Sequence, residues 1–369
     1  MGIIVPSQLY NAQDLLGGFN PWDPMGFTLS RDFAIYREFA TDGGPVPTSL
    51  AVRAAQAAHD AAIADALRIF LKTVQRPLVG VMGGHSLPRD HAAYKAIAYL
   101  ARDLARARFL LVTGGGPGVM EAAHLGVAFS STESVGPLDE AIGLLSAVPR
   151  APILDDLFTD TWTIKDEKLG AIDDARKWLK VALEARAKAP DILPVSLAIP
   201  TWLYGAEPTM PFATHYAKYF QNSLREEALV NNSRAGIVYG RRGGGTMREV
   251  YQDVERNYYA KTLEEVTPMI FFDPDKYWET DPVMGDTRAT SPGINVKPTI
   301  RPILALGLVS DNRPKKEVEA CLDEKLLFTT DHPSIMKALR GHEKTSQQNL
   351  TFALAAEPLK FGTLRMNRR

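Results

Sequence analysis

Residues 235–250 read AGIVYGRRGGGTMREV. An apolar run (235–240) leads into a glycine-rich turn. Beyond it Met247, Val250, Tyr251, Val254 and Tyr258 fall on one face at helical spacing. The order is strand, glycine turn, helix. Glycines let the backbone approach a ligand closely and adopt positive φ. The free N–H groups of the following helix start, together with its dipole, attract an anion. Thr246 and Glu249 also have the spacing of a capping box, which needs no ligand, so both readings of this turn stand.

The same order recurs along the chain. RPLVGVM (76–82) reads as a first strand and is followed by GGHS (83–86). FLLVT (109–113) reads as a second, followed by GGGPG (114–118) and the helical stretch VMEAAHLGVAF. VSLAIP (195–200) is a third strand, AGIVYG the fourth, TPMIFF (267–272) the fifth, RPILALG (301–307) the sixth and KLLFTT (325–330) a seventh candidate. Strands alternating with helices predict an α/β fold, a Rossmann-like doubly wound parallel sheet of about six or seven strands. The three glycine turns would then share the carboxyl edge, where open α/β sheets bind ligands. A single glycine turn is usually only a tight turn. Three at one edge point to a phosphate-bearing ligand. No G-K-[ST] follows any of them and no clean G-x-G-x-x-G is present, which argues against a P-loop and a dinucleotide site.

Around this frame the sequence divides into three parts. Residues 1–75 form an N-terminal extension: an irregular arm to about residue 48, then an Ala-rich helix from Ser49. Residues 76–345 form the nucleotide-binding domain, and 346–369 a C-terminal tail ending in FGTLRMNRR. Two insertions, about 130–192 and 275–300, interrupt the rhythm; each is either a binding lid or a surface elaboration or oligomer contact.

Composition narrows the function. The 369 residues are 45% hydrophobic and 23% charged, with a formal net charge of -1. That describes a globular protein without the basic field that holds a chain on nucleic acid or anionic lipid. The lone cysteine, Cys321, excludes an internal disulfide and a Cys-rich metal site. No signal peptide and no membrane-length apolar run is evident, so a cytoplasmic setting is expected. His59, His91, His124, His215, His332 and His342 have no metal-ligand spacing. No metal and no cofactor is expected.

GGGTMRE (243–249) resembles the P-G-G-x-G-T-x-x-E motif of the LONELY GUY (LOG) type phosphoribohydrolases, and TGGGPGVMEAA (113–123) resembles their G-G-G-P-G-[IV]-M-E-A-A motif. With GGHS, the combination is most similar to the bacterial pyrimidine/purine nucleotide 5′-monophosphate nucleosidases. The resemblance covers roughly 76–130 and 193–340. It implies hydrolysis of the N-glycosidic bond of a nucleoside monophosphate to free base and ribose 5-phosphate, by a homo-oligomer. The family's upstream arginine, in M-H-x-R-K, is matched by Arg225 in NSLREEALVNNS, while the Met, His and Lys of that motif are absent. The third turn departs as well: Gly240-Arg241-Arg242 stands where the family has Pro-Gly, and Arg241 or Arg242 either adds a phosphate contact or faces solvent.

The residue roles follow from the resemblance. Gly243, Gly244, Gly245 and Thr246 hold the phosphate, and Glu249 works on the ribose. Arg225 clamps the phosphate or assists the leaving base. Gly114, Gly115, Gly116 and Gly118 shape the pocket, Met120 borders the base, and Gly84 and Ser86 complete the wall. Glu121 is a nucleotide-binding candidate that also suits a helix start on charge alone. His85 is a weaker candidate for a general acid. A non-catalytic carrier or sensor of a nucleotide-like or molybdenum-cofactor-like ligand is the competing reading, and the joint presence of Arg225 and Glu249 favours the enzyme.

Overall fold

The computed structural model describes residues 5–204, 208–241, 244–285, 291–310 and 312–355, with side chains described through Glu343. Seven strands form one sheet: β1 (Leu78–Met82), β2 (Leu110–Thr113), β3 (Leu197–Ala198), β4 (His215–Tyr216), β5 (Gly236–Tyr239), β6 (Met269–Phe271) and β7 (Leu326–Phe328). Their order is β4-β3-β2-β1-β5-β6-β7. Every neighbouring pair is parallel. β1 lies at the centre, with Val79 opposite Leu111 on one side and Gly236 on the other. All residues of β1, β2, β5 and β6 are buried. That is why these strands read as unbroken apolar runs: a parallel sheet is covered by helices on both faces.

The helices are α1 (Ala12–Leu16), α2 (Arg31–Thr41), α3 (Leu50–Val74), α4 (Ala92–Arg106), α5 (Val119–Ala128), α6 (Gly136–Leu145), α7 (Leu169–Arg186), α8 (Asn222–Asn232), α9 (Gly244–Tyr258), α10 (Lys297–Leu308), α11 (Lys315–Lys325) and α12 (His332–Ala355). The Ala-rich helix is α3; Ser49 caps it by accepting from Val52 N–H, and it stops at Gln75, which takes φ 48°. No helix among the described residues is long and apolar enough to cross a membrane.

Three expectations change. RPILALG is not a strand but most of α10, in which Ile300, Leu304 and Leu308 are buried at a spacing of four. A short apolar run fits a strand and a buried helix face equally well, and here the wider spacing decides for the helix. The strand missed was β4, only two residues long. The arm is more ordered than expected: Asn11 and Asp14 form a capping box at α1, and Ser30 caps α2. The insertion at 130–192 holds α6 and α7, and the stretch at 275–300 ends in the first turn of α10. The tail FGTLRMNRR lies outside the described residues.

The strand order contains the feature that places the site. From β1 the chain moves one way, through β2 and β3 to β4, then returns to β5 on the other flank of β1. The connections leaving β1 and β5 therefore part, and a crevice opens between them at the carboxyl edge.

Candidate functional site

The three glycine turns meet at this crevice and are tied together by backbone bonds. Gly84 N–H donates to the Arg241 carbonyl at 3.1 Å, and Val119 N–H donates to the Gly84 carbonyl at 3.2 Å. Gly118, which caps α5 at φ +70°, has no room for a side chain: a Cβ there would lie 2.3 Å from the Gly84 carbonyl oxygen. The second turn is braced from beneath. Thr113 Oγ1 accepts from Gly115 N–H at 2.9 Å and lies 2.9 Å from His124 Nε2, and His124 Nδ1 lies 3.1 Å from Ser196 Oγ. Burial pushes the His124 pKa down to about 3, so this ring is neutral and structural.

A cavity of about 200 Å³ fills the crevice, walled by Gly83, Gly84 and His85, by Gly114–Gly116 and Met120, and by Gly245, Thr246 and Glu249 of α9. Arg225 enters from α8. Its Nε donates to the Ile199 carbonyl at 3.0 Å, and its Nη1 lies 3.5 Å from Glu249 Oε1. Gly114 makes this approach possible, since a Cβ there would stand 2.3 Å from Arg225 Nη2 and 2.9 Å from Met120 Sδ. Arg225 and Glu249 are both buried, at 8% and 6% exposure. Burial raises the Glu249 pKa to about 7; the Arg225 guanidinium opposes the rise and the Glu226 carboxylate adds to it.

The opposite wall is made of Pro200, Thr201, Tyr204, Pro208, Thr209 and Lys218. Lys218 is 2% exposed. Its Nζ donates to both oxygens of Asp32, at 2.7 and 2.9 Å, and to Thr209 Oγ1 at 3.3 Å. Thr209 Oγ1 and Trp202 Nε1 also donate to Asp32, at 2.5 and 3.0 Å. Asp32 belongs to α2, so the N-terminal arm supplies the counter-ion for a lysine of the cavity wall. A second anchor of the N-terminal extension is Asp60 of α3, which accepts from the N–H groups of Phe220 and Gln221 just before α8 and is backed by His59 and Tyr10.

Of the residues singled out in the sequence, Gly84, Gly114, Gly115, Gly116, Met120, Arg225, Gly245, Thr246 and Glu249 line the cavity, as does His85. Four others do not. Ser86 is exposed on the turn outside it. Gly118 lies behind the wall as the α5 cap. Glu121 points into the core, where Arg89 Nε and Nη2 donate to it at 2.9 and 2.6 Å and Tyr94 Oη donates at 3.0 Å. Gly244 is the first residue of α9 and not part of the lining, while Arg242 and Gly243 lie outside the described residues. Because α9 already runs at Gly244, Thr246 and Glu249 sit within its first turns and not at the cap. Arg241 neither reaches the cavity nor faces solvent alone: it pairs with Asp275 and stacks over Tyr277 at 5.7 Å. Lys218, Thr209 and Asp32 were not foreseen. No local spacing joins residue 32 to residue 218; a lysine amid the aromatics of THYAKYFQN was the only sign.

Among known families, the model of the SLOG cluster4 family matches residues 76–142. This stretch runs from β1 to α6 and includes the first two glycine turns, but not Arg225 or Glu249. The SLOG superfamily is related to the LOG-type fold, and the match suggests a nucleotide-related function on this fold. No curated protein matches the chain.

Proposed function

We propose that the chain hydrolyses the N-glycosidic bond of a nucleoside 5′-monophosphate, releasing free base and ribose 5-phosphate. The observation that carries this reading is the Arg225–Glu249 pair, held 3.5 Å apart in a cavity walled by glycine turns at the sheet's switch point. A carrier needs pocket and phosphate contacts; it has no need of a buried acid whose pKa lies near neutrality.

The start of α9, Glu249 and Arg225 each have a task in that reaction. Gly245 and Thr246, in the first turn of α9, present backbone N–H groups and the positive end of a helix dipole to the 5′-phosphate. Glu249 follows one turn on, beside the sugar. As the C1′–N bond breaks, positive charge develops on the ribose ring, and the Glu249 carboxylate stabilises it. The same carboxylate accepts a proton from the water whose oxygen adds to C1′. The leaving base departs with the bonding electron pair and takes up one proton from solvent, while Glu249 gives the proton it took from the attacking water back to solvent. Arg225, buried and bound to the Ile199 carbonyl, offers its remaining N–H donors to the phosphate or to the departing base. Because Glu249 lies near neutrality, a modest change of surroundings moves it between acid and base forms.

The test is a product assay. The purified chain is incubated with a panel of nucleoside monophosphates and the matching nucleosides, and free base is measured by chromatography beside Glu249→Gln. Release from monophosphates alone, lost in the variant, is the expected result. No release from any substrate, with nucleotides still raising the melting temperature, would replace the reading with a carrier or sensor.

A further inference from the structure

Tyr204 is a cavity residue that the reaction above leaves without a task. It ends a single 3₁₀ turn, Trp202–Tyr204, on the wall opposite Arg225 and Glu249. The neighbouring aromatics Trp202, Tyr216, Tyr219 and Phe220 are all 2% exposed or less, whereas Tyr204 is 49% exposed. No other aromatic ring among the described residues covers it. The turn that carries it is pinned at several points. Trp202 N–H donates to the Tyr219 carbonyl at 3.0 Å, and Trp202 Nε1 donates to Asp32 at 3.0 Å. The Trp202 indole stacks on Phe220 with 4.6 Å between ring centres, and Thr201 Oγ1 accepts from Leu203 N–H at 3.1 Å. Asp32 of the N-terminal arm is therefore one of the supports of this turn. Lys218 and Thr209 spend their donors on the Asp32 network. What the wall offers an occupant is then mostly apolar: the Tyr204 ring flanked by Pro200 and Pro208.

The strand order sets how far this wall lies from the phosphate end. Gly245 and Thr246 follow β5, Tyr204 follows β3, and β1 and β2 lie between them. Neighbouring strands are about 4.8 Å apart, so the ends of β5 and β3 are separated by about 14 Å. The gap is bridged from both sides. Pro200 packs against the second glycine turn, since a Cβ at Gly115 would lie 3.2 Å from Pro200 Cβ. Arg225 reaches Glu249 on one side and the Ile199 carbonyl, at the end of β3, on the other. A ligand with its phosphate at α9 and its sugar beside Glu249 extends its remaining part, the base, along this crevice toward Tyr204. We infer that the Tyr204 ring is the platform on which the base of the bound nucleotide stacks. The inference rests on the proposed reaction and adds to it the residue that holds the leaving group. Stacking uses the face of the ring and not its hydroxyl. It is made in the bound substrate as well as in the transition state, so its loss raises KM more than it lowers kcat.

The test compares wild type, Tyr204→Ala and Tyr204→Phe. Adenosine 5′-monophosphate, cytidine 5′-monophosphate and ribose 5-phosphate are titrated by calorimetry into each protein carrying Glu249→Gln, so that no nucleotide is consumed. KM and kcat for the two nucleotides are measured with Glu249 intact. Tyr204→Ala is expected to weaken nucleotide binding and raise KM by about tenfold, with kcat within about twofold and ribose 5-phosphate binding unchanged. Tyr204→Phe is expected to match wild type in every readout. Nucleotide binding that Tyr204→Ala leaves intact, an equal loss of nucleotides and ribose 5-phosphate, or a Tyr204→Phe protein as weak as Tyr204→Ala overturns this inference alone. A loss confined to the nucleotides, in a protein that releases no base from any monophosphate, keeps the platform and overturns the reaction. A chain that binds none of the three ligands overturns both.

Discussion

Arg89 and Glu121 face each other in the core through two parallel bonds of 2.9 and 2.6 Å, both side chains 1% exposed or less. The Arg89 guanidinium also lies 3.9 Å over the Trp178 ring and donates to the carbonyls of Val148 and Trp178. The pair therefore ties the segment after β1 to α5 and α7. Replacing Glu121 with Ala strands a buried guanidinium, which costs about 3–5 kcal/mol. Urea unfolding should show that loss, while the fraction that remains folded keeps its turnover. A Glu121→Ala protein of normal stability but without activity would put Glu121 back into the site.

The acidity of Glu249 sets a pH profile. Burial raises its pKa to about 7, and the working form proposed is the carboxylate. Turnover should then rise with pH through about 7 and lie about tenfold below its plateau one unit lower. Stability runs the other way. The folded state holds the Glu249 proton to a higher pH than the unfolded chain does, so folding weakens as pH rises from the unfolded value toward 7. Glu249→Gln has no such titration. Its melting temperature relative to wild type should climb between pH 5 and pH 8, and a constant difference would contradict the assignment.

Two glycines in one turn separate function from folding. At Gly114 an added methyl meets the end of a side chain, Arg225 Nη2, which can move. Gly114→Ala should displace Arg225 and depress kcat/KM at least about tenfold, for about 1 kcal/mol of stability or less. At Gly118 the methyl meets the Gly84 carbonyl oxygen, and φ is +70°. Gly118→Ala should cost about 1–3 kcal/mol or more in denaturant unfolding. Equal effects of the two substitutions on both readouts would refute the distinction.

Asp32 and Lys218 lend themselves to a double-mutant cycle. Each is buried with the other as its charge partner. Asp32→Leu and Lys218→Met should each lower stability by about 3–5 kcal/mol, because each leaves one buried charge behind. Asp32→Leu combined with Lys218→Met removes both charges and should recover much of the loss. Simple additivity in the cycle would show that the arm is not electrostatically coupled to the cavity wall.

What the sequence disclosed follows from where information is local. β1, β2 and β5 were legible because burial on both faces makes each an apolar run, and a glycine turn follows each of them. RPILALG misled because seven residues are too few to separate a strand from a buried helix face; the spacing of Ile300, Leu304 and Leu308 shows only in a wider window. β4 has two residues and no periodicity to display. In the cavity, the glycines, Met120, Arg225 and Glu249 sit in short motifs that can be read in place. Glu121 shares the same motif yet serves the core, because one residue on from Met120 the helix α5 has rotated by about 100°, away from the crevice and toward Arg89. Asp32 and Lys218 meet only after folding, and nothing in either neighbourhood names the other.

The strand order also fixes a timetable. β1 finds its first neighbour soon, in β2, but its other edge stays open until β5 has been made, well over a hundred residues later. During synthesis the chain therefore carries a half-built sheet whose central strand has an unpaired flank. Such an edge is where folding is slow and where two nascent chains can adhere. Arg225 and Glu249 straddle β5 in sequence, so the crevice gains its charges in the same step that closes this flank. A ligand of this crevice can add its binding energy to the fold only after that step.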